Sequence, residues 1–188
     1  MKQLKETFVE SARELKNIRS LTGLALLMAL GSILSAVLTI QITPSQKIGF
    51  GYLATVLMGA LYGPVAGGVA AGLRDILQYL IKPTGMYYFG FTLNAILGAV
   101  IYGLFFYKRR VTVVKAAVSK GLVNVFVNSV LGSIWLADLL GKGVGVLFYP
   151  KLVENLISLP VEAAVLYLAL GVLLEAYRKV RLGSRPGV

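Results

Sequence analysis

The sequence predicts an all-α integral membrane protein of six transmembrane helices, with both termini cytoplasmic. Three observations predict it. Of 188 residues, 57% are hydrophobic and 14% charged, with mean hydropathy +0.78, where soluble domains carry about a quarter charged residues. Apolar runs of roughly 20 residues, the length that crosses a bilayer, recur along the chain. Basic residues cluster: Lys2, Lys5, Arg13, Lys16 and Arg19 precede the first run, Lys108, Arg109, Arg110, Lys115 and Lys120 lie mid-chain, and Arg178, Lys179, Arg181 and Arg185 close it. The positive-inside rule leaves such clusters at cytoplasmic loops. The net charge of +11 therefore reads as topology and not as nucleic-acid binding.

The elements follow in order, as one membrane domain over residues 1–188. Residues 1–20 place Leu4, Phe8, Ala12, Leu15 and Ile18 near helical spacing, which predicts a cytoplasmic interfacial segment. The first span, 21–40, contains no charge; its length, and three glutamates ahead of it, argue against a cleaved signal peptide. The second, 48–62, is stopped by Gly63 and Pro64, and Pro64 can open the third, 64–81, as its first residue. Loop 82–90 is rich in turn residues and tyrosine. The fourth span is 91–107 and the fifth 116–140. A glycine-rich loop, 141–150, precedes the sixth, 151–177, with a kink expected at Pro160. With the basic clusters inside, loops 41–47, 82–90 and 141–150 lie outside.

Composition also removes chemistry. Cysteine and histidine are both absent, which excludes disulfides, thiolate nucleophiles, the usual general base and the commonest metal ligand. No cofactor or metal is expected. No GxxxxGK[ST] motif occurs, so ATP hydrolysis must belong to partners or be replaced by a gradient.

What remains is a set of polar residues at membrane depth, each a functional candidate because it is costly there. Arg74 and Asp75 stand side by side near the outer end of the third span, with Gln78 close by. Mutual neutralisation is the plainer reading, but neighbours on a helix diverge by roughly 100 degrees and face each other badly. Asn94 begins the fourth span. Asn124 and Asn128 are four apart on the fifth, with Trp135 seven further on. Glu154, Ser158 and Glu162 form a line on the sixth, Glu162 deepest and read as structural. Most belong to outer halves of spans, beside Tyr87, Tyr88, Phe89, Phe148 and Tyr149. The expectation is an outward-facing pocket with aromatic walls for a flat polar molecule. Ala25 and Ala29 put small residues on one face of the first span, where another helix can approach.

Several stretches carry a resemblance. The ordered set ALLMA, KIGFGYLATVLMGALYGP, GFTLNAILGAVIYGLFFYKRR, LVNVFVNSVLGSIWL and NLISLP resembles the substrate-binding S components of energy-coupling factor (ECF) vitamin transporters, most closely the folate (FolT-like) group. The resemblance implies a six-helix bundle in a prokaryotic cell membrane that binds folate or a related vitamin near the outer surface. It implies partners as well, a transmembrane coupling protein (EcfT) and two ATPase subunits, with Ala25 and Ala29 against the coupling protein and loop 41–47 as a lid.

For folate, the two donors of the pterin edge match Asp75 or Glu154. The rings match Tyr87, Tyr88, Phe91 and Trp135, and the anionic tail matches Lys47, Arg74 or Lys151. Asn94 and Asn128 complete the hydrogen bonds. Two positions depart from the folate pattern: Glu154 stands where a second basic residue follows Lys151, and Asn94 replaces serine. The alternatives are an S component for hydroxymethylpyrimidine or pantothenate, or a small membrane enzyme acting on lipid head groups, for which the sequence offers no acidic cluster.

Overall fold

The computed structural model describes residues 2–37, 39–41, 47–83 and 86–183. Helix α1 (Lys2–Glu14) precedes α2 (Ile18–Val37), after which a two-stranded antiparallel hairpin, β1 (Thr39–Gln41) and β2 (Lys47–Gly49), pairs Gln41 with Lys47. Helices α3 (Tyr52–Ile81) and α4 (Phe89–Phe106) follow. A continuous rod then runs through α5 (Val113–Leu122), a π-helical stretch (Val123–Leu131) and α6 (Gly132–Leu140), and α7 (Val144–Gly183) follows after a short break. Among the described residues, five helices are long and apolar enough to cross a membrane.

The expected second and third spans both fall on α3, which is not one straight rod. Gly63 has φ +85° and ψ −178° inside it, a conformation only glycine adopts without strain, and Pro64 follows. The chain folds back there. A Cβ added to Gly67 would fall 2.8 Å from the Cα of Gly59, four residues to the other side of the break. Arms 52–62 and 64–81 therefore lie side by side, and α4 packs on both through glycine. A Cβ on Gly59 would meet the Ala99 carbonyl at 2.6 Å, and one on Gly103 the Pro64 nitrogen at 2.6 Å. Such small residues let backbones approach where lipid supplies no hydrophobic drive between helices.

Other boundaries differ from the sequence reading for physical reasons. The first span begins at Ile18 and ends at Val37, because β-branched Thr39 and Ile40 enter the hairpin. Ile48 pairs in β2, so the next helix waits until Tyr52. The tip of the expected lid, 42–46, lies outside the described residues. The loop expected over 141–150 is short: Gly141, at φ +63°, ends α6, and α7 starts at Val144. Glycine costs a helix only ~1 kcal/mol relative to alanine, and the apolar run Val146, Leu147 and Phe148 keeps Gly145 helical. The α7 backbone runs on through Pro150 and Pro160.

The core joins Val56, Leu57 and Ala60 of α3 to Tyr102 and Phe106 of α4 and to Leu166 of α7. Within it lies an ion pair: Lys120 Nζ stands 3.3 Å from Glu162 Oε2, the side chains 3% and 12% exposed. The ammonium sits 3.8 Å from the centre of the Tyr52 ring, and Asn124 Nδ2 donates to the same carboxylate at 2.8 Å. A buried pair persists only when its remaining donors and acceptors are met in this way. Glu162 is structural.

Candidate ligand pocket

Arg74 and Asp75, adjacent in sequence, part company in space. Arg74 turns inward and is buried. Its Nη1 donates to the Gly51 carbonyl at 2.9 Å and to Thr55 Oγ1 at 3.1 Å; its Nη2 donates to the Gly31 carbonyl at 2.8 Å and to Ser35 Oγ at 2.7 Å. A fifth bond reaches Gln78 Oε1 at 3.4 Å. One guanidinium thus joins α2, the start of α3 and the second arm of α3. Backbone outside a helix is tolerated at membrane depth only where its polar groups are met, and Arg74 meets the Gly51 carbonyl.

Asp75 turns the other way, into a cavity of about 570 Å³ bounded by α2, the end of α3, the segment before α4, and α6. Thr92 Oγ1 donates to Asp75 Oδ2 at 2.7 Å. Thr92 has one hydroxyl hydrogen, so the 2.7 Å contact with Tyr87 must be Tyr87 donating to Thr92. This relay fixes one carboxylate oxygen. The other has no partner among the described residues and belongs to the cavity wall.

Aromatic rings line the same space. Tyr79 and Tyr87 lie 5.1 Å apart between centroids, and Tyr88 lies 6.1 Å from Phe91 and 6.0 Å from Trp135. Gly90 makes room for the indole, since a Cβ there would come within 2.5 Å of it. Trp135 Nε1 donates to Asn94 Oδ1 at 3.0 Å. The Tyr88 hydroxyl donates to Asp138 Oδ2 at 2.7 Å, and that bond raises the phenol above its ordinary range.

Of the residues singled out in the sequence, Asp75, Gln78, Tyr87, Tyr88 and Phe91 line the cavity. Asn94, Trp135 and Lys151 gather just behind it. Lys151 Nζ donates to the Gly132 carbonyl at 3.1 Å, and Asn94 Nδ2 lies 3.6 Å from where a Gly132 Cβ would stand. Arg74, expected at the tail, does not line the cavity: its two Nη groups bond the protein and its Nε is buried. Asn128 bonds Asn124 at 3.3 Å, forming a seam toward α7 away from the cavity. Trp135 leaves the Asn124–Asn128 stripe because the π-helical stretch shifts the register between them. Glu154 lies on α7 outside the lining. The backbone of Lys47 lies in β2; its side chain lies outside what is described.

The sequence reading missed Lys82, the basic residue of the wall, together with Tyr79, Ser32 and Ser35. A signal was present: Asp75, Gln78, Tyr79 and Lys82 repeat at i, i+3, i+4 and i+7, one face of a helix.

A carboxylate, paired aromatics and a lysine around one cavity suit a flat molecule with donors at one end and an anion at the other. The family model described as ECF transporter, substrate-specific component, matches residues 19–170. The chain belongs to this family. Two folate transporters named FolT are similar to this substrate-specific component. That of Clostridium novyi (strain NT) is 39% identical over 153 residues, covering 81% of this chain and 88% of its own. That of Leuconostoc mesenteroides subsp. mesenteroides is 30% identical over 158 residues, covering 81% and 84%. Among solved structures, one described as FolT bound with folic acid superposes with a TM-score of 0.74 at 28% identity, over 81% of this chain and 93% of that one.

Proposed function

We propose that this substrate-specific component binds folate at the outer face of a prokaryotic cell membrane for uptake powered by partner ATPases. The observation that carries the reading is the content of one cavity: a carboxylate held by Thr92, aromatic rings on both sides, and Lys82. The pterin edge offers an amino group and a ring N–H to Asp75. The rings of folate stack among Tyr79, Tyr87, Tyr88 and Phe91, and the glutamate tail reaches Lys82 at the rim, with Lys47 on the lid hairpin above it. Asn94, Trp135 and Lys151 support the wall from behind. Arg74 and Asn128 position helices, and Glu154 takes no pterin contact. The likeness to proteins named as folate transporters, and to one solved with folic acid, supports the same ligand.

The chain catalyses no reaction in this scheme. Ala25 and Ala29, exposed on α2, meet the coupling protein, which links the chain to two ATPase subunits. Each arm of α3 counts as a crossing, giving six, with both termini cytoplasmic. The first arm is short because β2 and residues 49–51 bring the chain down to the depth of Arg74 before the helix begins.

Calorimetry on the purified full chain tests the ligand. Folate is expected to bind saturably, while riboflavin, thiamine and biotin do not compete. Preference for hydroxymethylpyrimidine or pantothenate would reassign the vitamin, and absence of folate binding would sink the proposal.

A further inference from the structure

A second groove, of about 560 Å³, lies far from the ligand pocket, between the turn after α4 and the C-terminal half of α7. Its wall is apolar, made by Val111, Tyr167, Leu170 and Leu174, and Arg110 stands among the lining residues. Gly171 makes the notch: a Cβ there would find nothing within 4 Å. Leu168 and Val172 on either side are 64% and 68% exposed, so the groove opens sideways along a helix apolar enough to span a membrane.

The polar end is basic. Lys108, Arg109 and Arg110 are consecutive, and Lys115 Nζ donates to the Arg110 carbonyl at 3.1 Å. Lys108 is matched by Glu10 at 2.9 Å. Among the described side chains, which on α7 end at Leu174, no carboxylate pairs with Arg109 or Arg110. We propose that this groove seats one anionic phospholipid, its acyl chain along Gly171 and Leu174 and its phosphate on Arg110.

The chemistry selects this occupant. A phosphodiester accepts two parallel hydrogen bonds from a guanidinium, a geometry arginine supplies and lysine does not. An anionic headgroup adds no cation, whereas a choline headgroup would bring its own positive charge into a turn that already holds several. Basic pockets between spans on the cytoplasmic side hold anionic lipid head groups for the same reason, and an acyl chain fills an apolar slot that no described side chain fills. The site is independent of which vitamin the outer pocket takes.

Native mass spectrometry of the purified full chain, offered equimolar phosphatidylglycerol and phosphatidylcholine, reads the preference directly. Wild type is expected to retain phosphatidylglycerol about ten-fold over phosphatidylcholine, the scale of one charged hydrogen-bonded contact. Arg110→Gln, at an exposed position, should abolish the preference. Gly171→Leu, which fills the notch without changing charge, should reduce retention of phosphatidylglycerol. Equal retention of the two lipids by wild type overturns the proposal and leaves the groove to a protein partner. A preference that survives Arg110→Gln, or retention of phosphatidylglycerol unchanged in Gly171→Leu, overturns it as well.

Discussion

Ser11 of α1 caps a helix to which it does not belong, and its partner there is Ala66. Its Oγ accepts from the Ala66 amide at 3.0 Å and from the Val65 amide at 2.9 Å, and donates to the Tyr62 carbonyl at 2.7 Å. The first amides of a helix have no partner within it, and a serine oxygen normally meets them from the residue just before the helix. Here that residue is Gly63, which has no side chain, and the hydroxyl comes from more than fifty residues away. Helix α1 is thereby part of the bundle, beyond the interfacial role read from its periodicity.

Ser11→Ala should therefore destabilise the protein by about 1–3 kcal/mol, the cost of leaving buried polar groups unmet. Thermal unfolding in detergent measures it. An unchanged midpoint would mean that water replaces the hydroxyl and the cap adds nothing.

Lys82 and Arg74 make opposite predictions toward pteroate, which is folate without its glutamate tail. Lys82→Gln should weaken folate roughly ten- to a hundred-fold, as loss of a charged contact does, and leave pteroate nearly unchanged. Arg74→Lys should weaken both ligands together and lower stability, because it loosens α2 from α3. Selective loss of folate in Arg74→Lys would return the arginine to the tail site.

Tyr88 titrates above its ordinary value of 10.0, chiefly because its hydroxyl is bonded to Asp138. A raised folded value means that this bond contributes fully below pH 10.0 and is lost as pH rises through the folded value. Tyrosinate absorbance, taken as the difference between wild type and Tyr88→Phe, should show one late-titrating phenol. Asp138→Asn should move it back toward the ordinary range; if it does not, the bond is absent in solution.

Ala25→Trp combined with Ala29→Trp should abolish uptake by the assembled transporter while folate binding to the isolated chain stays intact. Both alanines are exposed on α2, beside Leu26 at 67% and Ile33 at 59% exposure. Equal loss of uptake and binding would assign them to the internal fold.

Because the chain lacks cysteine, single cysteines report topology cleanly. Lys142→Cys should react with an impermeant thiol reagent on intact cells and Arg110→Cys should not. Reaction at position 110 reverses the orientation.

The spans were legible because hydropathy needs no knowledge of packing, and the break at Gly63 because glycine followed by proline stops a helix whatever its surroundings. The helical start of α7 was hidden by glycines that read locally as a turn. The π-helical stretch leaves no local signal, so the turn of Trp135 toward Asn94 could not be foreseen. In the pocket, Asp75 and the aromatics were legible as a polar and aromatic concentration at one depth. That adjacent helical residues diverge could be known in advance. Which of Arg74 and Asp75 turned inward could not, because the receiving carbonyls belong to Gly31 and Gly51, far off in sequence. Lys82 was passed over as the first residue of loop 82–90, although it lies seven residues after Asp75.

Gly31, Gly51 and Arg74 have an evolutionary consequence. A methyl at Gly31 would come within 2.8 Å of the Arg74 Nε, and one at Gly51 within 2.6 Å of its Nη2. Replacing the arginine first strands two carbonyls that the glycines leave bare. A methyl at Gly31 would also meet the Ala54 Cβ at 2.5 Å, and one at Gly51 the Ser35 hydroxyl. A lineage that abandons the arginine therefore keeps both glycines and must find another donor for their carbonyls.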